Sequence, residues 1–136
     1  MSQRFLVDTN VLLRFLSGQP VKQAEAARKL FEAAAAGEAT LEVSPVIVAE
    51  TLYTLISFYE VERGVAADKV LALLRRRGVK VRDADQVFGA LKRLQSANVG
   101  FADAFLAAGA AEEGIPVASF DRDFDKFKDV KRFEPE

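Results

Sequence analysis

The chain is predicted to be an α/β protein: helix, sheet and helix in three layers around a central, mainly parallel sheet. Three observations carry this. Short apolar runs alternate with longer helical patterns along the whole chain. The first run, Phe5-Leu6-Val7, is apolar without a break, as in a strand covered on both faces. No internal repeat, low-complexity tract or linker interrupts the 136 residues, so one domain, 1–136, is expected, long enough to bury a core.

The elements follow in order. A strand over 5–7 runs directly into Asp8-Thr9-Asn10 and a short helix over 11–16, which Ser17-Gly18-Gln19-Pro20 stops. Ala24, Ala27, Leu30, Phe31 and Ala34 give an apolar face to a helix over 21–36, ended by Gly37. A strand over 41–43 precedes Ser44-Pro45, which reads as N-cap and first helical residue of a long apolar helix over 46–62. Gly64 breaks it, and a helix over 65–77 ends in Arg75-Arg76-Arg77, where cations suit the dipole. A strand over 79–81 follows, then Asp83 as the cap of a helix over 84–97. Asn98-Val99-Gly100 separates this from an alanine-rich helix over 101–113. Gly114-Ile115-Pro116 leads into a strand over 117–120, a turn over 121–124 and a last edge strand at Arg132-Phe133.

Composition narrows the chemistry. With half of the residues hydrophobic and 29% charged, the chain should fold as a soluble protein. No apolar run approaches the roughly 20 residues of a membrane span, and the first residues read as no signal or transit peptide, so a cytoplasmic setting is expected. There is no cysteine, which excludes disulfides and thiolate metal sites. There is no histidine, which excludes Ser-His triads and imidazole bases. A net charge of −1 argues against a globally basic nucleic-acid binder and leaves room for a local basic surface.

Acid-base or metal chemistry therefore falls to carboxylates, lysine or tyrosine. Asp8 and Asp121 each follow an apolar strand; if both strands are central and parallel, both carboxylates emerge at one edge of the sheet, where α/β folds place ligands. Each acidic residue also has a plainer role. Asp8 or Asn10 can cap the next helix. Glu50 can sit at the rim of its apolar helix face and reach solvent. Asp103 lies in a first helical turn, where acids complement the dipole. Asp123 and Asp125 can be solvated charges of a polar tail.

Taken together, Asp8-Thr9-Asn10, Ala49-Glu50, Phe101-Ala102-Asp103-Ala104 and Ser119-Phe120-Asp121-Arg122-Asp123-Phe124 resemble the PIN-domain family, and more narrowly the VapC toxins of bacterial and archaeal toxin–antitoxin pairs. The likeness spans essentially the whole chain; Ser119 stands where the family usually has threonine. It implies a metal-dependent endoribonuclease using Mg²⁺ or Mn²⁺. Asp8, Glu50, Asp103 and Asp121 match the family's four acidic positions and would be catalytic residues and metal ligands. Asn10, Ser119 and Asp123 match supporting positions. The resemblance also implies a homodimer inhibited by a small antitoxin. The oxygen-only donor set agrees with hard divalent cations. Arg14, Arg122 and Lys126 are candidate RNA contacts, while Arg75, Arg76, Arg77, Lys80 and Arg82 read more simply as a solvated helix end. The helix over 46–62 carries Leu55, Ile56, Phe58 and Tyr59, more apolar surface than one core face needs, and is a candidate dimer contact. An RNA-processing nuclease without an antitoxin and a non-catalytic RNA- or protein-binding module remain alternatives. A haloacid-dehalogenase-like phosphatase is disfavoured, because it would want an Asp where Asn10 stands.

Overall fold

A computed structural model describes residues 3–136; the first two residues of the expected 1–136 domain lie outside them. The described residues form an α/β fold of parallel strands and six α-helices. β1 (Gln3–Leu6), α1 (Thr9–Ser17) and α2 (Val21–Ala35) lead to β2 (Ala39–Val43). Then come α3 (Pro45–Ser57), α4 (Arg63–Leu74), β3 (Val79–Val81), α5 (Ala84–Ser96) and α6 (Phe101–Glu113). β4 (Val117–Ala118), a 3-10 helix (Arg122–Lys126) and β5 (Arg132–Phe133) complete it.

The parallel strands are divided between two sheets. β1, β2 and β3 pair in that order, with β2 central, and β4 pairs with β5. β1 is thus an edge strand, and it does not lie beside β4. The expectation that residues 5–7 form a strand covered on both faces is corrected here: Leu6 is 71% exposed and only Val7, just past the strand, is buried. Leu41 and Val43 of β2 point into the core, whereas Leu6, Glu42 and Lys80 are laterally paired and share the opposite face.

The core joins Leu41 and Val43 to Leu12, Phe31, Val48, Leu52, Val70, Val87 and Leu91. α5 and α6 pack closely through small residues: a Cβ on Gly89 would press on Ala108, and one on Gly109 would collide with Gln86, whose side chain donates to the Phe105 carbonyl at 2.9 Å. Gly78 turns the chain into β3 with φ +89°, and a Cβ there would strike the Ala34 carbonyl.

Three helix boundaries depart from expectation. The helix predicted over 46–62 stops at Ser57. The Thr54 carbonyl accepts from both Phe58 and Tyr59, and Glu60 turns the chain with φ +55°, a task sequence patterns usually mark with glycine. Gly64 does not break a helix but lies in the first turn of α4, which Glu62 caps by accepting from the Val65 amide at 3.0 Å. Asp83 precedes α5 in the left-handed region and makes no side-chain cap.

Candidate metal centre

The carboxylates of Asp103, Asp121 and Asp123 each bring an oxygen within 4.8 Å of the others. Local structure places them. Asp103 stands in the first turn of α6. The Ser119 hydroxyl accepts from the Asp121 amide at 2.9 Å, and Asp121 Oδ1 accepts from the Asp123 amide at 2.8 Å, which folds the segment after β4 into a turn and then the 3-10 helix. Phe124 and Phe127 are buried and pin that segment to the core. Arg132 donates to the Ser119 carbonyl at 3.2 Å and holds the strand end from β5.

Electrostatics at this cluster is repulsive. Partial burial, then the charges of Asp121 and Asp123, push the Asp103 carboxyl above its ordinary value. Lys126 pairs with the cluster: its ammonium lies 3.1 Å from Asp123 and also donates to the Asn98 carbonyl at 3.3 Å. Arg122 is exposed between the two aspartates.

Asp8 and Glu50 are not among the carboxylates that converge within 4.8 Å. Asp8 caps α1, with Oδ1 accepting from the Thr9 amide at 2.7 Å. It lines a cavity of about 400 Å³ with Leu6, Glu42, Ser44 and Arg82. Glu50 is exposed at the rim of α3 and accepts a hydrogen bond from the buried Thr9 hydroxyl. Asp8 and Glu50 are therefore linked through Thr9. Asn10 and Arg14 line a separate cavity of about 490 Å³ between α1 and α2, where Arg14 donates to Gln23 at 2.7 Å.

Sequence reasoning assigned no role to Thr9, although it quoted the residue within the first motif. It also passed over Glu42, which is 5% exposed and bound by Arg4 and by Arg82. The signal for the latter was present: Val79-Lys80-Val81-Arg82 alternates apolar and basic, the mark of a strand with one open face.

A family model for the PIN domain matches residues 5–130. The chain belongs to the PIN-domain family. PIN domains are typically nucleases and use divalent metals. The carboxylates present fit such a cation: three oxygen donors converge, and no nitrogen or sulfur ligand competes in a chain without His or Cys. No curated protein matches the chain. Among solved structures, VapBC2 from Rickettsia felis, bound to a DNA fragment from its promoter, is similar over 96% of this chain and 98% of that one, at 14% identity and a TM-score of 0.39. No helix among the described residues is long and apolar enough to cross a membrane.

Proposed function

We propose that this PIN domain, acting as a single 1–136 unit in the cytoplasm, is a metal-dependent endoribonuclease and the toxin of a VapC-type toxin–antitoxin pair. The convergence of Asp103, Asp121 and Asp123 in a PIN-family chain is the observation that carries the nuclease assignment. These three carboxylates would hold Mg²⁺ or Mn²⁺, which would activate a bound water and offset charge on the scissile phosphate. Asp121 is the central donor, because Ser119 and the Asp123 amide orient it from both sides. Asp8 and Glu50 complete the acidic set. Thr9 engages one oxygen of Glu50, leaving the other to orient a water. Arg122 and Lys126 flank the cluster and are suited to an approaching phosphate; Arg14 is a more distant candidate.

The toxin assignment draws on the motif resemblance and chain size. The dimer draws on α3, which leaves Val46, Tyr53 and, at its end, Phe58 about three-quarters exposed. Leu55, also expected on that surface, is buried instead.

Purified protein with Mn²⁺ should cleave structured or single-stranded RNA, and EDTA should stop it; cleavage undiminished by the chelator would overturn the mechanism. Growth arrest on expression, relieved by a small protein encoded next to this gene, would support the toxin; cleavage without toxicity or such a neighbour would favour an RNA-processing enzyme. Sedimentation equilibrium at micromolar concentration should give about twice the chain mass, and a monomer throughout would remove the dimer.

A further inference from the structure

The face of the three-stranded sheet turned away from the core carries a group of charges that the metal centre does not use. Leu6, Glu42 and Lys80 are lateral neighbours across β1, β2 and β3. Arg4 lies two residues before Leu6, and Arg82 two residues after Lys80, so both fall on the same face. The Arg82 amide continues the ladder by donating to the Val43 carbonyl at 3.0 Å. Glu42 is buried between the two guanidiniums: Arg4 binds one oxygen through Nε, and Arg82 Nη2 lies 3.3 Å from the other.

One carboxylate thus faces two arginines and an exposed lysine that has no ion-pair partner among the described residues. The arginine side chains remain 72% and 53% exposed. Each guanidinium has five donors, so one contact to Glu42 leaves most of them available in a fixed orientation. Arg82 also lines the cavity that holds Asp8 and the Ser44 end of α3. A basic, oriented surface that opens beside an acidic catalytic residue fits a polyanion running toward that residue.

We propose, resting on the nuclease reading above, that Arg82 and Lys80, with Arg4 behind them, form a phosphate track that positions the substrate strand beside Asp8. Glu42 sets the direction of the Arg82 fork and does not itself meet the RNA. Arg82 is a positioning residue: its loss removes binding that is equal in ground and transition states, so KM rises while kcat holds.

The test uses a fluorescein-labelled single-stranded RNA pool, with the matching DNA pool as a second arm. Anisotropy in EDTA should show wild-type affinity falling with salt. Arg82→Ala and Lys80→Ala should each weaken binding about three- to tenfold and reduce the salt slope by about 0.7, as for one lost phosphate contact. Arg82→Lys should keep the wild-type slope, and Arg28→Ala, on exposed α2, should change nothing. In Mn²⁺ the same variants should raise KM by a similar factor with kcat within about twofold. If Arg82→Ala does not fold, Lys80→Ala carries the measurement, since its side chain is exposed. Wild-type slope and affinity in folded variants would overturn the track and leave this face to a protein partner or to none. Arg82-dependent RNA binding without metal-dependent cleavage would keep the track and remove the nuclease; cleavage indifferent to Arg82 and Lys80 would do the reverse. DNA bound as tightly, with the same dependence, would keep the track as a general phosphate reader.

Discussion

Asp103, Asp121 and Asp123 gather three carboxylates, of which Asp123 pairs with the Lys126 ammonium, whereas Glu42 is a single carboxylate between two guanidiniums. The two groups are mirror images in charge, and their titration shows it. Burial and like charge push Asp103 up. Hydrogen bonds from Arg4 and then Arg82, opposed by burial, bring Glu42 down to about 2. In each region the protein leaves one sign in excess. Uncompensated charge costs stability, and it is tolerated where a ligand of opposite sign supplies the balance. On the proposed function, the acidic group would take a divalent cation and the basic face phosphates.

The largest effect should come from breaking the acidic side. Asp121→Asn keeps the shape of the side chain and removes its charge, so cleavage should fall by more than the roughly 10–100-fold typical of losing an outer partner of a metal. Asp123→Asn should cost less, because Lys126 already engages Asp123. Equal losses would make the two residues equivalent ligands. In melting experiments Mn²⁺ should stabilise wild type more than Asp121→Asn, since ligand-linked stabilisation follows affinity for the native state. An Asp121→Asn variant much less stable than wild type in EDTA, yet gaining the same from Mn²⁺, would reduce Asp121 to a turn-former.

Stability against pH sharpens the contrast, because the two regions should respond with opposite sign. The Glu42 pKa is depressed in the folded state, so its contribution is present above its ordinary value of 4.5 and is lost as pH falls toward about 2. Glu42→Gln should therefore be less stable than wild type at neutral pH, with the gap closing through that window. The Asp103 pKa is raised in the folded state, so its charged form costs stability at neutral pH, and that cost disappears as pH falls below its ordinary value of 3.8. In EDTA, Asp103→Asn should be the more stable protein at neutral pH and equal to wild type in acid. Denaturant unfolding across pH measures both; shifts of the same sign in the two variants would end the comparison.

The smallest effect concerns the link between Asp8 and Glu50. Thr9→Val removes the hydroxyl that donates to Glu50 and should cost about 1 kcal/mol. Cleavage should drop by less than for Asp121→Asn. A loss as large as that of Asp121→Asn would move Thr9 and Glu50 to the centre of the chemistry.

Much of this protein is local and was legible for that reason. α6 has the predicted bounds because Gly100 and Gly114 flank an alanine-rich run that the internal Gly109 does not break. β3 likewise has the predicted bounds, and the turn after β4 forms where Asp121 can bind the amide two residues on. Boundaries set by contact were harder. The end of α3 depends on Glu60 accepting a left-handed conformation, which nothing in its residue type signals.

The sequence by itself determined the alternation of strands and helices, the absence of imidazole and thiolate donors and the residues from which a metal site could be built, because composition and periodicity act over a few residues at a time. Tertiary structure alone decided the grouping. It brought Asp103 from α6 to Asp121 and Asp123, left Asp8 and Glu50 joined through Thr9, and made β1 an exposed edge. It also buried Glu42 between arginines 38 and 40 residues away. Such pairings join residues far apart along the chain, so they depend on strand order and packing, which no short window of sequence contains.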